Sequence, residues 1–322
     1  MFIFNLKHLA KSFKSQRKPY YQYKQFLIDR YGDALFKIPI DIDMGCPHRH
    51  ADGTGGCTFC PEDGSKAIQT AGFTTLQGQV DKAVEFATER YRAKEFMAYL
   101  QAYTATFAPL SVFRDHVAEL LNSHPFRALS VGTRPDCLPT STLQYLSKLS
   151  ESLDVWVELG IQTTHDKTLL HIQREHDWAS SEKAIYKLKE HGILVVAHVI
   201  LGLPGETFEM MMQTAERLAK LPIDGIKIHN LHVIKNTQLE KEYNDIPFHC
   251  LSELEYIDIA IEFLRRIPEN TPVLRMTTDT LDEELIAPKW SLKKGQIISK
   301  LNQTMNIRSV NQGDLVREGV AV

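Results

Sequence analysis

The sequence predicts an α/β protein, a partial barrel of six strand–helix units with a small C-terminal extension. Three observations predict it. Short apolar, β-rich runs alternate with amphipathic helical patterns from residue 37 to residue 234, which implies crossover connections and a parallel sheet. No Gly-x-Gly-x-x-Gly opens the first unit, which argues against a dinucleotide-binding sheet. From about residue 245 the rhythm breaks. The chain is therefore read as a basic arm (1–30), a barrel core (31–244) and an extension packed on it (245–322).

KIPIDID (37–43) reads as the first strand, and LQGQVDKAVEFATERYRA follows with Val80, Ala83, Val84, Ala87 and Tyr91 on one helical face. FMAYLQAY (96–103) is strand-like, and LSVFRDHVAELLNS (110–123) is helical. ALSVGT (128–133) is a strand, and TSTLQYLSKLS (140–150) is a helix that Thr140 is expected to cap. DVWVELGIQ (154–162) is a strand, and SSEKAIYKLKEHG (180–192) is a helix closed by glycine. LVVAHVILGLPG (194–205) is a strand and turn, TFEMMMQTAERLAKL a helix, and GIKIHNLHVI (225–234) the sixth strand. In the extension, LSELEYIDIAIEFLRRIP is a long helix and VLRMTTDT a further strand candidate. In parallel barrels, chemistry sits in the loops after the C-terminal strand ends, which is where the cysteine-rich stretch GCPHRHADGTGGCTFC (45–60) lies.

At 322 residues, 43% hydrophobic and 24% charged, the composition is that of an ordinary globular chain. No run of about 18 apolar residues is present, and MFIFNLKHLAKSFKSQRK lacks the order of a signal peptide, so a cytoplasmic protein with no membrane partner is expected. Five cysteines, three of them bunched, fit free or metal-bound thiols better than a disulfide framework. The net charge of −3 is unevenly spread: Lys7, Lys11, Lys14, Arg17, Lys18 and Lys24 all precede the first acid, Asp29. Tyr20, Tyr21, Tyr23 and Phe26 interleave with the later ones. Such an arm is either a solvated terminus or a surface that neutralises phosphates and stacks bases.

Cys46, Cys57 and Cys60 have no fourth cysteine nearby. Structural zinc wants four ligands, which His48 or His50 would complete, but zinc sites place their ligands in two close pairs. An iron–sulfur cluster held by three cysteines leaves one iron open. On spacing alone, zinc, a cluster and unligated thiols all stand. Gly53, Gly55 and Gly56 allow the backbone to turn sharply beside a metal, and His48, Arg49 and His50 read as a solvated loop face.

The pattern Cys-x10-Cys-x2-Cys after a first strand, with Phe59 between the last two cysteines, resembles the radical S-adenosylmethionine (SAM) superfamily, and within it a bacterial subgroup related to the elongator catalytic subunit. The long first gap departs from the commonest spacing, in which three residues separate the first two cysteines. The resemblance implies the barrel type. It also implies a [4Fe–4S] cluster on Cys46, Cys57 and Cys60, whose open iron chelates SAM, and a one-electron donor such as flavodoxin or ferredoxin. Reductive cleavage of SAM then yields a 5′-deoxyadenosyl radical that abstracts hydrogen.

The other strand ends carry the remaining implied contacts. QAYTATF places Gln101, Tyr103 and Thr104 where the family hydrogen-bonds the methionine amine, without its usual Gly-Gly-Glu form. SVGTRPDCLP is similar to the TRPD segment of elongator-like members; Arg134 and Asp136 either position SAM or substrate or form a structural ion pair. Cys137 is either a hydrogen-atom donor or an inert thiol. ELGIQTTHDKTLLHIQREHD looks like the fourth-strand motif of the coproporphyrinogen-oxidase-like members, which implies SAM contacts for Gln162 and Arg174; Glu158, a carboxylate that needs a reason to stand in an apolar strand, is expected to be a cofactor-binding residue beside them. AHVILGLPGET matches the adenine-side motif, with His198 where relatives have a ribose-binding aspartate. Lys227, His229, His232 and Lys235 alternate with apolar residues and are expected to face one cavity that suits an anionic substrate. The subgroup resemblance implies tRNA as partner, with the 5-side chain of wobble uridine taken from carboxymethylaminomethyl to aminomethyl. Two other readings stay open: an oxidoreductase for a small or tetrapyrrole-like molecule, and a non-catalytic zinc module.

Overall fold

Period-2 apolar runs set the strands and 3.6-residue patterns the helices. A computed structural model describes residues 18–50, 54–62, 64, 72 and 75–316. Lys7, Lys11, Lys14 and Arg17 of the arm and Gly53 of the cysteine loop lie outside the described residues. The strands are β1 (Leu35–Ile40), β2 (Glu95–Leu100), β3 (Ala128–Thr133), β4 (Asp154–Gln162), β5 (Leu194–Leu201), β6 (Gly225–Asn230), β7 (Val233–Ile234), β8 (Val273–Arg275) and β9 (Leu285–Ala287). The helices up to the fourth strand are α1 (Tyr23–Tyr31), α2 (Leu76–Tyr91), α3 (Leu110–Ser123) and α4 (Thr140–Leu149). Beyond it come α5 (Asp166–His171), α6 (Trp178–Glu190), α7 (Phe208–Leu218), α8 (Gln238–Asp245), α9 (Glu253–Leu264) and α10 (Lys294–Arg308).

Seven parallel strands pair in the order β1-β2-β3-β4-β5-β6-β8, a curled half-barrel. One face of each strand meets the helices. Ile38, Ile40, Ala98, Leu100, Leu129, Val131, Val157 and Leu159 join Val80, Ala83 and Ala87 of α2 and Phe113, Val117 and Leu120 of α3 in the main core. The other face lines the barrel. Its lowest layer is Leu35, Met97, Ala128, Trp156 and Val196, and α1 seats Leu27, with Tyr23 and Phe26, against it. Phe26 meets Trp156 edge-on at 5.5 Å. Helix α1 thus plugs the N-terminal mouth of the barrel, and Arg30 pairs with Asp154 at the foot of β4.

Several sequence expectations change. Tyr20, Tyr23 and Phe26 are packed inward rather than offered to bases: Tyr20 joins the main core and Tyr23 and Phe26 pack on the plug layer. Pro139 occupies the position before α4 and Thr140 begins the helix without capping it. Tyr91 ends α2 exposed, because Arg92 turns the chain left-handed there. The first strand ends at Ile40, and Asp43 has φ 50. GIKIHNLHVI divides at Leu231 and His232, with β7 leaving the barrel to pair antiparallel with β9. The extension supplies β8, which extends the sheet beside β6 as a seventh strand. Its helix α9 begins with a capping box between Ser252 and Glu255. No described helix is long and apolar enough to cross a membrane.

Candidate active site

A cavity of about 940 Å³ opens at the C-terminal strand ends and runs into the barrel, and all three loop cysteines line it. The loop is shaped by its glycines. Gly55 has φ 76, and a Cβ there would stand 2.3 Å from the His48 carbonyl. Gly56 has φ 81 and lets the Arg49 guanidinium pass close to the backbone. Arg49 therefore turns inward and donates to the Cys60 carbonyl at 3.0 Å, which corrects its reading as part of a solvated face. His48 bonds Asp136 at 3.2 Å. Burial, with Cys57 second, pushes the Cys60 thiol up to about 12, so ligation there displaces a tightly held proton.

Two arginines meet at Cys57. Arg174 Nη1 donates to its Sγ at 3.1 Å, and Arg174 Nη2 bonds the Gly160 carbonyl. Arg134 Nη1 is 3.8 Å from the same sulfur. Asp136 receives Arg134 Nε at 3.0 Å and Nη2 at 3.2 Å, so it stands behind Arg134 and fixes its plane. Gln162 is buried at the bulge ending β4 with φ 70; its Oε1, like Arg174 Nε, is buried without a partner among the described residues. Gln101, Tyr103 and Thr104 line the same cavity. The Tyr103 hydroxyl donates to the Glu62 carbonyl at 2.6 Å, and the Thr104 amide donates to Gly45 at 3.0 Å. Cys137 is half-buried and not among the cavity's lining residues; burial and then Asp136 push its thiol up to about 12.

Below these groups lies a polar layer. Glu158 receives Lys227 Nζ at 2.8 Å, Ser130 at 3.0 Å and the Tyr99 hydroxyl at 3.1 Å, and Lys37 as well. Burial opposes its charge, but Lys227 and then Lys37 outweigh burial and hold the carboxyl well below the usual range. The rings of His198 and His229 meet at 4.1 Å. Burial holds both imidazoles neutral, and His198 Nε2 has no partner among the described residues. Lys227, His229, His232 and Lys235 all line the cavity, the first two by alternation along β6 and the others from the segments before and after β7. Sequence reasoning missed Lys37, Tyr99 and Arg275. Each is a polar residue at an inward position of a short apolar strand, and that is the signal it left.

In the turn after β5, burial pushes the Glu206 carboxyl from 4.5 up to about 7, although Thr163 and Thr168 favour its charged form. A carboxyl raised in the folded state contributes stability that is complete below its unfolded value and lost as pH rises through the folded one. Glu206→Gln is therefore expected to raise the melting temperature above pH 7 and leave it unchanged near pH 4.5. Parallel melting curves for the two proteins across that range would contradict this.

The family model for the radical SAM superfamily matches residues 44–218, more than half of the chain, and the Radical_SAM C-terminal domain model matches residues 223–306. The chain belongs to the radical SAM superfamily. It is 36% identical to the uncharacterized protein YtqA of Bacillus subtilis over 304 residues, 94% of each chain. It is 30% identical to the tRNA uridine(34) acetyltransferase of Methanocaldococcus jannaschii over 188 residues, 58% of this chain and 34% of that one. Its fold is similar to that of the archaeal Methanocaldococcus infernus Elp3 with its N-terminus deleted, at TM-score 0.66 and 17% identity, covering 86% of this chain and 64% of that one.

A radical SAM protein uses a [4Fe–4S] cluster and SAM, and the residues present fit both. Three thiols face one cavity, cationic guanidinium groups stand at Cys57 to offset the charge of a thiolate-bound cluster, and the orphaned Gln162 Oε1 and Arg174 Nε offer unfilled polar contacts beside it. Among the described residues no three His, Cys, Asp or Glu side chains form a group suited to one metal ion. Membership in this superfamily sets aside the zinc module.

Proposed function

We propose that this radical SAM enzyme acts on the 5-side chain of the wobble uridine of tRNA, taking carboxymethylaminomethyl to aminomethyl: loss of a hydrogen atom and then an electron from the carboxymethyl methylene gives an imine, which water cleaves to the amine and glyoxylate, SAM being the net two-electron acceptor. The observation that carries the reading is the kinship, over 58% of the chain, with an enzyme named for tRNA uridine(34). The cationic chamber beneath the cysteine loop supports it, because the group to be removed bears a carboxylate. Cys46, Cys57 and Cys60 hold the cluster. When bound, the cofactor pair supplies reductive cleavage of SAM to methionine and a 5′-deoxyadenosyl radical. Arg174 and Gln162 then orient SAM, a guanidinium suiting its carboxylate. Arg134, fixed by Asp136, offsets charge at Cys57. Gln101, Tyr103 and Thr104 face the amino end, and His198 stands in for the ribose-binding aspartate. Glu158 holds the two lysines in place, and a flavodoxin or ferredoxin supplies the electron.

Nucleoside mass spectrometry of tRNA from cells with and without the gene tests the reading. Loss of the gene is expected to leave carboxymethylaminomethyluridine in place of aminomethyl products; an unchanged wobble nucleoside would refute it. Lys7, Lys11, Lys14 and Arg17 are assigned to the tRNA backbone. Because α1 plugs the barrel, the test of that assignment removes residues 1–17 only. tRNA affinity is expected to fall and its salt dependence to flatten, by about 0.7–0.9 in log–log slope for each phosphate that the arm no longer neutralises. Unchanged affinity and slope would show that the arm does not bind tRNA.

A further inference from the structure

The polar layer of the barrel has a residue with nothing to answer its charge. Strand β8 places Arg275 beside Lys227 of β6, so it enters the same inward layer as Glu158 and Lys37 and lines the same cavity. Its Nη1 lies 3.3 Å from His229 Nε2. That nitrogen is an acceptor only in the neutral ring, which burial enforces. No carboxylate among the described residues pairs with Arg275. Glu158 is held between Lys37 and Lys227 and is already outnumbered. Asp279 and Glu284 line the outer cavity; the charge of Asp279 acts on Lys294 and His232, and the Glu284 backbone carbonyl accepts from the Lys235 amide. A half-buried guanidinium without an anion is costly unless a ligand supplies one.

We propose that Arg275 is the specificity residue that reads a carboxylate on the substrate, drawing it into the chamber between His229 and Lys227. The planar fork of a guanidinium matches a carboxylate in a way that an ammonium does not. Glu158 in the same layer disfavours a dianion such as phosphate. The His198 Nε2, without a partner among the described residues, suits the amine of a carboxymethylamine, in which a carboxylate and a secondary amine stand one methylene apart. This deepens the wobble-uridine reading and rests on it for the identity of the whole substrate, but not for the chemistry of the group that enters the chamber.

The test is calorimetric binding to the anaerobic full chain, loaded with cluster and SAM, of two probes. N-methylglycine carries the carboxylate and secondary ammonium without a nucleobase; 5-carboxymethylaminomethyluridine carries both with one. Dimethylamine, 5-methylaminomethyluridine and inorganic phosphate serve as comparisons. Each carboxylate probe is expected to bind about tenfold to a hundredfold more tightly than its counterpart lacking the carboxylate, the range of a charge-assisted hydrogen bond. Arg275→Met is expected to erase that preference, and Arg275→Lys, which keeps charge and stem should the methionine variant fold poorly, to retain only part of it. Binding of N-methylglycine but not of the uridine would refute the wobble-uridine reading and sustain this one. Neither probe binding, a preference intact in Arg275→Met, or phosphate binding as tightly as the carboxylates would overturn the assignment of Arg275.

Discussion

Serine in place of Cys46, Cys57 or Cys60 is expected to abolish both cluster incorporation and SAM cleavage, whereas serine at Cys250 is expected to leave both intact. The difference lies in where the sulfurs stand. The first three line the cavity at the barrel mouth, while Cys250 packs against the satellite cluster of Ile200, Leu203 and Leu231. A hydroxyl is a poor substitute for thiolate on iron, and a cluster held by these three alone would have no ligand to spare. Iron and sulfide content after anaerobic reconstitution, together with the visible absorption of an iron–sulfur chromophore, checks the prediction. A variant at any of the three that keeps a full cluster would remove that residue from the ligand set.

The second large effect is on folding. Glu158→Gln leaves Lys37 and Lys227 facing each other in the barrel with no anion, and breaking a buried pair in this way costs about 3–5 kcal/mol. The carboxyl is depressed in the folded state, so its contribution is present above the unfolded value of 4.5 and is lost as pH falls toward the folded one. Wild type should therefore show an acid loss of stability that the variant lacks. Replacing Lys227 by Met in the Glu158→Gln background should recover part of the deficit, because one of the two opposed charges is gone. Urea unfolding at neutral and acid pH measures both effects. A deficit under about 1 kcal/mol, or strict additivity of the two changes, would mean that the chamber is solvated enough to screen the lysines.

The barrel was legible because its strands are short, apolar and separated by helices with one apolar face; β3, β4, α3 and the alternating Lys227 and His229 stand where periodicity puts them. Gln162 and Arg174, twelve positions apart in the sequence, meet across Gly160, near which a Cβ would collide with both side chains. What stayed hidden was set by register. Lys37, Tyr99, Ser130, Glu158 and Lys227 come from five strands, and only side-by-side pairing assembles them. Strand β8 spans three residues, too few for a period to show, so Arg275 could not be assigned to the barrel wall. The tyrosines of the arm looked like base-stacking groups because an exposed aromatic and a plug against Trp156 read alike in one dimension. Arg49 turned inward through the space left by a glycine seven residues later.

Reconstituting the full chain anaerobically with iron and sulfide, reducing it with dithionite in the presence of SAM, and quantifying 5′-deoxyadenosine and methionine asks whether three thiolates at the barrel mouth hold a cluster that presents SAM to the chamber below. Equimolar release of both is expected, and none from the serine variants of Cys46, Cys57 and Cys60. Fully cluster-loaded, reduced protein that leaves SAM intact would refute this.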